Sequence, residues 1–203
     1  MTAYSTLVAA KTTSGSIKNW VMRSDIPVTD ILTEAEAFIY QKLRVREMMT
    51  MEEIAVVATN YKASLPSGFL DPIKLTPYGW GDPLPYLGEE KFVPLREEDG
   101  TRIEDASPSC WTVIGTEMWF DIALTAAFGG DLLYYKQPTE LSGSNETNFL
   151  TTRYPTILRH ACESFAYEHM KDPARSLEFR KLVEAEIEDA NMTNEMFRTG
   201  QYH

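Results

Sequence analysis

The sequence predicts an α+β fold in which helices from the two ends of the chain form a bundle and a β-rich segment interrupts them. Three observations carry this. Apolar residues recur at helical spacing towards both ends, nine of the eleven prolines lie between Pro66 and Pro155, and short β-branched or aromatic runs alternate with turn residues in between. Proline at that density excludes long helices, because each one removes a backbone donor and clashes with the preceding turn. The expected division is helices over about 14–47 and 155–190, a β-rich insertion over about 52–137 and a polar tail over 191–203, within one domain, 1–203.

Ser14-Gly15-Ser16 places turn residues ahead of Ile17, Trp20 and Val21, whose i, i+3, i+4 spacing predicts a short amphipathic helix. Val28, Ile31, Leu32, Ala35, Ile39 and Leu43 then share one helical face. Lys42, Arg44 and Arg46 suit the C-terminal end of that helix, predicted over about 27–46.

The texture changes at the short β-branched run from Ile54 to Thr59. Gly79, Gly81, Pro83 and Pro85 break regular structure, and Asp99-Gly100 marks a tight turn. Trp111 to Ile114 and Met118 to Phe120 flank Gly115-Thr116-Glu117 as two strands flank a hairpin turn. Leu132-Leu133-Tyr134-Tyr135, after Gly129-Gly130, reads as the last strand of the set.

Pro155 sits where a first helical residue tolerates a missing N–H, and Leu158, Cys162, Phe165 and His169 are expected on one face of the helix it opens. Asp172-Pro173 opens a second helix with Phe179, Val183, Ile187 and Ala190 as its buried stripe and Glu178, Lys181, Glu184 and Glu188 in water. Together they make a helical hairpin.

At 203 residues, 43% apolar and 24% charged, the chain has the make-up of a globular domain, and no window approaches the roughly 18 apolar residues of a membrane span. The opening Met1 to Gly15 lacks the basic start and apolar core of a secretory signal, so a cytoplasmic origin is expected. Cys110 and Cys162 form no framework and read as buried thiols. Thirty acidic against nineteen basic residues give a net charge of −11, which repels phosphate and predicts no affinity for duplex DNA.

No catalytic, metal or cofactor site is predicted. His160 and His169 stand nine apart, where a metal pair on one helical face needs three or four. His160 and Cys162 are two apart and point away from one another. The acidic pairs Glu52-Glu53, Glu89-Glu90, Glu97-Glu98 and Glu104-Asp105 read as solvated loop charge, although a small acid/base hydrolase would use such a pair. Trp111 and Trp119 lie in apolar runs and are expected in the core or a subunit contact. Trp80, flanked by glycines, with Tyr78 and Tyr86 beside it, is expected at a loop tip as an interface anchor; a carbohydrate-binding module built on Trp80 and Tyr86 is the alternative.

Several segments resemble the adaptor, or head-to-tail connector, proteins of tailed bacteriophages. They are Tyr4-Ser5-Thr6-Leu7-Val8, Asn19 to Ile26, Lys42 to Met48, the loop Leu65 to Leu70, and Leu133-Tyr134-Tyr135-Lys136 followed by Leu141-Ser142 and Asn145 to Leu150, with Ala166-Tyr167 on the next helix. The similarity spans most of the chain. Ala9 to Ser16 departs from it as an insertion, and Tyr78 to Tyr86 is richer in glycine and proline than the family pattern.

The resemblance implies a structural virion protein and not an enzyme. It implies a ring of twelve copies at the head–tail neck, assembled in the host cytoplasm, with a portal protein on one side, a tail or nozzle protein on the other, and genomic DNA passing through unbound; another neck or tail-completion protein is the nearest alternative. The tail is then expected to dock on the portal as an extension through Met192, Met196, Phe197, Arg198 and Tyr202.

Overall fold

The computed structural model describes residues 3–57, 60–105 and 107–199, with backbone alone for 198 and 199. It divides the chain into two compact units, Met1–Met48 with Pro138–His203, and Met49–Gln137. Helices make up the first and antiparallel strands most of the second, so the fold is mixed α+β.

The helical unit contains α1 (Tyr4–Leu7), α2 (Ile17–Trp20), α3 (Val28–Lys42), α4 (Phe149–Arg153), α5 (Pro155–His169) and α6 (Pro173–Thr199). Ser16 caps α2 by accepting from the Asn19 N–H and donates to the Ala10 carbonyl. Helix α3 ends at Lys42, earlier than its apolar spacing suggests. The Arg44 guanidinium caps it by donating to the carbonyls of Tyr40 and Leu43, at 2.9 and 2.7 Å, and Arg46–Met48 forms a separate 3-10 turn. Ile31, Leu32, Ala35 and Ile39 of α3 are buried, and α3 packs on α5.

Asn148 opens α4 with a capping box, its side chain taking the Leu150 and Thr151 N–H groups while Thr151 returns a bond to the Asn148 N–H. Pro155 is the first residue of α5, as expected. The buried face of α5 is turned from the expected one: Leu158, Ala161, Cys162 and Ala166 are inside, Phe165 is half-buried edge-on to Phe38, and His169 is exposed beside Glu34. Lys171, at φ 58°, reverses the chain into α6, whose first turn Asp172 caps through the Arg175 N–H.

Helix α6 runs to Thr199, so the stretch expected to leave the domain after Ala190 as a polar extension is helical up to that point. Ser176, Val183, Ile187 and Asn194 are buried along it, with Phe179 and Ala190 half-buried. The stripe passes from apolar to amide at Asn194, which is why hydropathy alone ends it early.

In the β unit, β1 (Met49–Val56), β8 (Phe128–Lys136) and β3 (Phe69–Pro77) form an antiparallel sheet with β8 in the centre. A second sheet joins β2 (Lys62–Ser64), β6 (Glu117–Phe120) and β5 (Trp111–Ile114), and the two-residue strands β4 (Glu104–Asp105) and β7 (Ala123–Leu124) pair in parallel. Strands β5 and β6 are the expected hairpin, turned by Gly115 at φ 62°. Gly129 and Gly130 lie inside β8 and not ahead of it. A Cβ on Gly130 would come within 2.8 Å of the Thr76 carbonyl, so glycine permits the close pairing with β3. Ile54, Leu75, Leu84, Trp111, Met118, Phe120, Leu132 and Tyr134 fill the core of this unit.

Candidate assembly interface

The last turns of α6 present three different surfaces. One is a polar clamp on the chain leaving α3. Asn191 donates from Nδ2 to the Lys42 carbonyl at 2.9 Å and accepts the Arg44 N–H on Oδ1 at 2.6 Å, and Asn194 Nδ2 donates to the Arg44 carbonyl at 3.0 Å. Backbone groups left over where a helix ends are thereby satisfied by side chains from far along the sequence. A second surface points to solvent and carries Met192 and Met196, 52% and 54% exposed.

The third borders a groove of about 370 Å³ lined by Arg46, Arg153, Tyr154, Ile157, Asp189 and Phe197, among others. Its charged edge is built on Glu47, whose carboxylate pairs with Arg153 and, at 3.4 Å, with Arg46. The Arg46 guanidinium also stands 5.6 Å from the centre of the half-exposed Phe197 ring, a cation–π contact. The groove is mainly polar, with both signs of charge in its lining and Ile157, Ala190 and Phe197 as its apolar members.

Further along the chain, the loop joining the β unit to α4 is organised around a buried carboxylate. Glu36 of α3, 1% exposed, accepts from the Leu141 N–H (3.0 Å), the Tyr40 hydroxyl (2.9 Å) and Asn148 Nδ2 (2.9 Å). Burial raises its pKa against the opposing pull of these donors, and burial followed by the Glu36 charge raises that of the Tyr40 phenol. Glu146 in the same loop accepts from the Ser5 N–H (2.9 Å) and hydroxyl (2.8 Å), and its carbonyl takes the Tyr4 N–H at 2.7 Å. Three of the segments that carry the adaptor resemblance, Tyr4 to Val8, Leu141-Ser142 and Asn145 to Leu150, thus meet in one hydrogen-bonded network.

The β-unit candidates separate. Tyr78 is 52% exposed, its ring lies across Gly129, and its hydroxyl reaches Asp131 at 3.4 Å. Trp80, expected at an exposed tip, is half-buried and stacks on Phe128 at 6.5 Å, because the turn through Gly79 folds it back onto the core. Tyr86, 42% exposed, sits edge-on to Trp111 at 5.1 Å. Trp111 is wholly buried and donates from Nε1 to the Leu84 carbonyl at 3.1 Å. Trp119 points to the other face of its hairpin, where Tyr61 and the Arg102 guanidinium cover it.

Of the remaining expected contacts, Tyr202 and the Arg198 side chain lie outside the described residues. Among the described residues no cluster of His, Cys, Asp and Glu could hold a metal. His160 Nδ1 lies 3.2 Å from Glu186, and burial pushes the Cys162 thiol far above its ordinary pKa. The residues that build the clamp and the network, Glu36, Asn191 and Asn194, escape a reading based on apolar spacing. Their signal is positional: Glu36 falls four residues after Leu32 on the apolar face of α3, and Asn194 seven after Ile187 on that of α6. A polar residue in a buried stripe calls for a partner.

A family model described as SU10 adaptor protein matches residues 2–201, nearly the whole chain. No curated protein matches the sequence.

Proposed function

We propose, because the chain belongs to the SU10 adaptor protein family, that this structural phage protein forms a ring of twelve copies between the portal and the next protein of the tail, with the genome passing through it. The observation that carries the reading is the family match over nearly the full length, which includes the network of Glu36, Ser5, Glu146 and Asn148. A closed ring uses heterologous contacts, so each copy needs two different patches. We read the terminal helices as its body and the β unit as an insertion carrying the exposed Tyr78 and Tyr86 towards a neighbour. The portal is met by the end of α6, through Met192, Met196 and Phe197 with Arg198 and Tyr202. A net charge of −11 per copy discourages DNA from adhering during passage.

Imaging of portal rings mixed with the purified full chain tests this. A second ring, one copy per portal subunit, is the expected result; a chain that stays monomeric and leaves the portal bare overturns it. Met192→Glu with Met196→Glu should weaken portal binding tenfold or more while each copy stays folded, since neither side chain belongs to the core of the chain. Truncation after Ala190 is the poorer probe, because it also removes the two asparagines that hold α6 to the chain leaving α3.

A further inference from the structure

Helix α6 carries two apolar stripes. Val183 and Ile187 are spent inside the helical unit. On the outer side, Leu182, Ala185, Met192 and Met196 fall in the alternating three- and four-residue steps of a heptad seam, with Asp189 at its one polar position. Leu182, Met192 and Met196 are 43%, 52% and 54% exposed.

Charge along the helix is divided. Residues 173–182 carry Arg175, Arg180 and Lys181 against Glu178, whereas residues 183–197 carry Glu184, Glu186, Glu188, Asp189 and Glu195 and no Lys or Arg. This runs against the helix dipole, which favours acids at the N-terminal end and bases at the C-terminal end. Part of the division is met locally: Glu184 pairs with Lys42 at 2.5 Å, Glu186 with His160 at 3.2 Å and Arg180 with Glu168 at 2.8 Å. Lys181 and Glu188, which flank the outer seam, and Asp189 within it have no ion-pair partner among the described residues.

We infer that the outer face of α6 pairs antiparallel with the same helix of a second copy, about a two-fold axis beside Ala185, so that residues 174–196 of the two copies lie side by side, with Met192 level with Glu178. A parallel pair would set Glu188 and Asp189 against themselves. The antiparallel register brings Lys181 of each copy within reach of Glu188 and Asp189 of the other, and symmetry repeats the contact. Ala185, with a single methyl group, allows close approach at the crossing, and Met196 falls opposite Ala174. Pairing covers the methionines assigned above to the portal, so it belongs to the free protein and gives way on the particle. It does not depend on the portal reading, since it concerns the isolated chain.

Single-cysteine variants of the full chain test the register, because the native Cys110 and Cys162 are buried. Under mild oxidation Ala185→Cys should give a disulfide-linked dimer. Met196→Cys should not, since 22 residues of helix, about 33 Å, separate the two positions in the antiparallel pair. Lys181→Glu should lower the Ala185→Cys yield at least fivefold at low salt, and adding Glu188→Lys and Asp189→Lys to it should restore the yield. Cross-linking at 196 as readily as at 185, or at neither, overturns the inference. So does sedimentation of the unaltered chain as a monomer alone at tens of micromolar.

Discussion

In the β unit one continuous stretch, Met49–Gln137, closes on its own apolar centre, where Trp111, Phe120, Leu132 and Tyr134 are buried together. In the helical unit the chain leaves at Met48 and returns at Pro138, and the two parts are matched by directional bonds: Glu36 to Leu141 and Asn148, Ser5 to Glu146, Asn191 and Asn194 to the backbone of residues 42–44. Apolar burial stabilises many arrangements of similar volume, whereas an unpaired buried polar group penalises every arrangement but one. The difference locates sensitivity. Volume changes should dominate losses in the β unit, and changes of a few polar atoms those in the helical unit.

The largest expected effect is in the β core. Trp111→Ala removes a fully buried ring and the bond from its Nε1 to Leu84, and should cost about 3–5 kcal/mol in urea unfolding. Trp80→Ala, at a half-buried ring stacked on one neighbour, should cost less than half as much. Equal losses would show that burial is not concentrated at Trp111, and the contrast between the units would fail on that side.

Next comes the buried carboxylate. Glu36→Ala strands the Leu141 N–H and the Tyr40 hydroxyl proton, leaving the Asn148 amide its bond to the Tyr40 oxygen, and at about 1–3 kcal/mol for each buried group left without a partner the total should approach that of the tryptophan. Ile31→Val, which removes one methylene from the same helix, should cost only about 0.5–1.5 kcal/mol. If the aliphatic change proves the costlier, the helical unit is held by burial as the β unit is. Asn191→Ala is expected third, at about 1–2 kcal/mol for two lost backbone partners, whereas Met192→Ala one residue along should stay within about 0.5 kcal/mol. The pair compares the clamped and solvent-facing sides of one helix, and differential melting reads both.

The same contrast governs what could be read from the sequence. Helix α3, the Pro155 start of α5 and the β5–β6 hairpin are legible because periodicity and turn chemistry are local properties. Trp111 is legible as core for the same reason. Trp80 is not: its glycine neighbours suggest a projecting tip, and only the path of the turn shows that the ring folds back onto Phe128. The continuation of α6 past Ala190 is hidden because the residues that hold it are asparagines bonded to a backbone almost 150 positions away. Hydropathy reports burial of apolar groups and is silent about a buried amide. The resemblance to adaptors marks the loop from Leu141 to Leu150, yet it does not disclose that Glu36 is what the loop is folded around.

The smallest expected effect is a pH dependence confined to the helical unit. Burial raises the Glu36 pKa above its ordinary 4.5, so the folded state binds this proton more tightly than the unfolded chain does. Its contribution is fully present below the unfolded value and is lost as pH rises through the folded one. The groups facing it are the Tyr40 hydroxyl, the Asn148 amide, the Leu141 N–H and the nearby Glu140 charge, of which only Glu140 adds to the rise. Glu146, lowered by its bonds to Ser5, and Glu184, lowered by Lys42, have the opposite sign and weaken the unit as pH falls, although their exposure keeps each small. Comparison with Glu36→Gln cancels these, because only the Glu36 titration differs between the two proteins. The wild type should therefore gain melting temperature relative to Glu36→Gln as pH falls from 7 towards 4.5. A wild type that instead loses melting temperature relative to Glu36→Gln over this range would mean that the three donors outweigh burial at Glu36, and that the network is held by its charge.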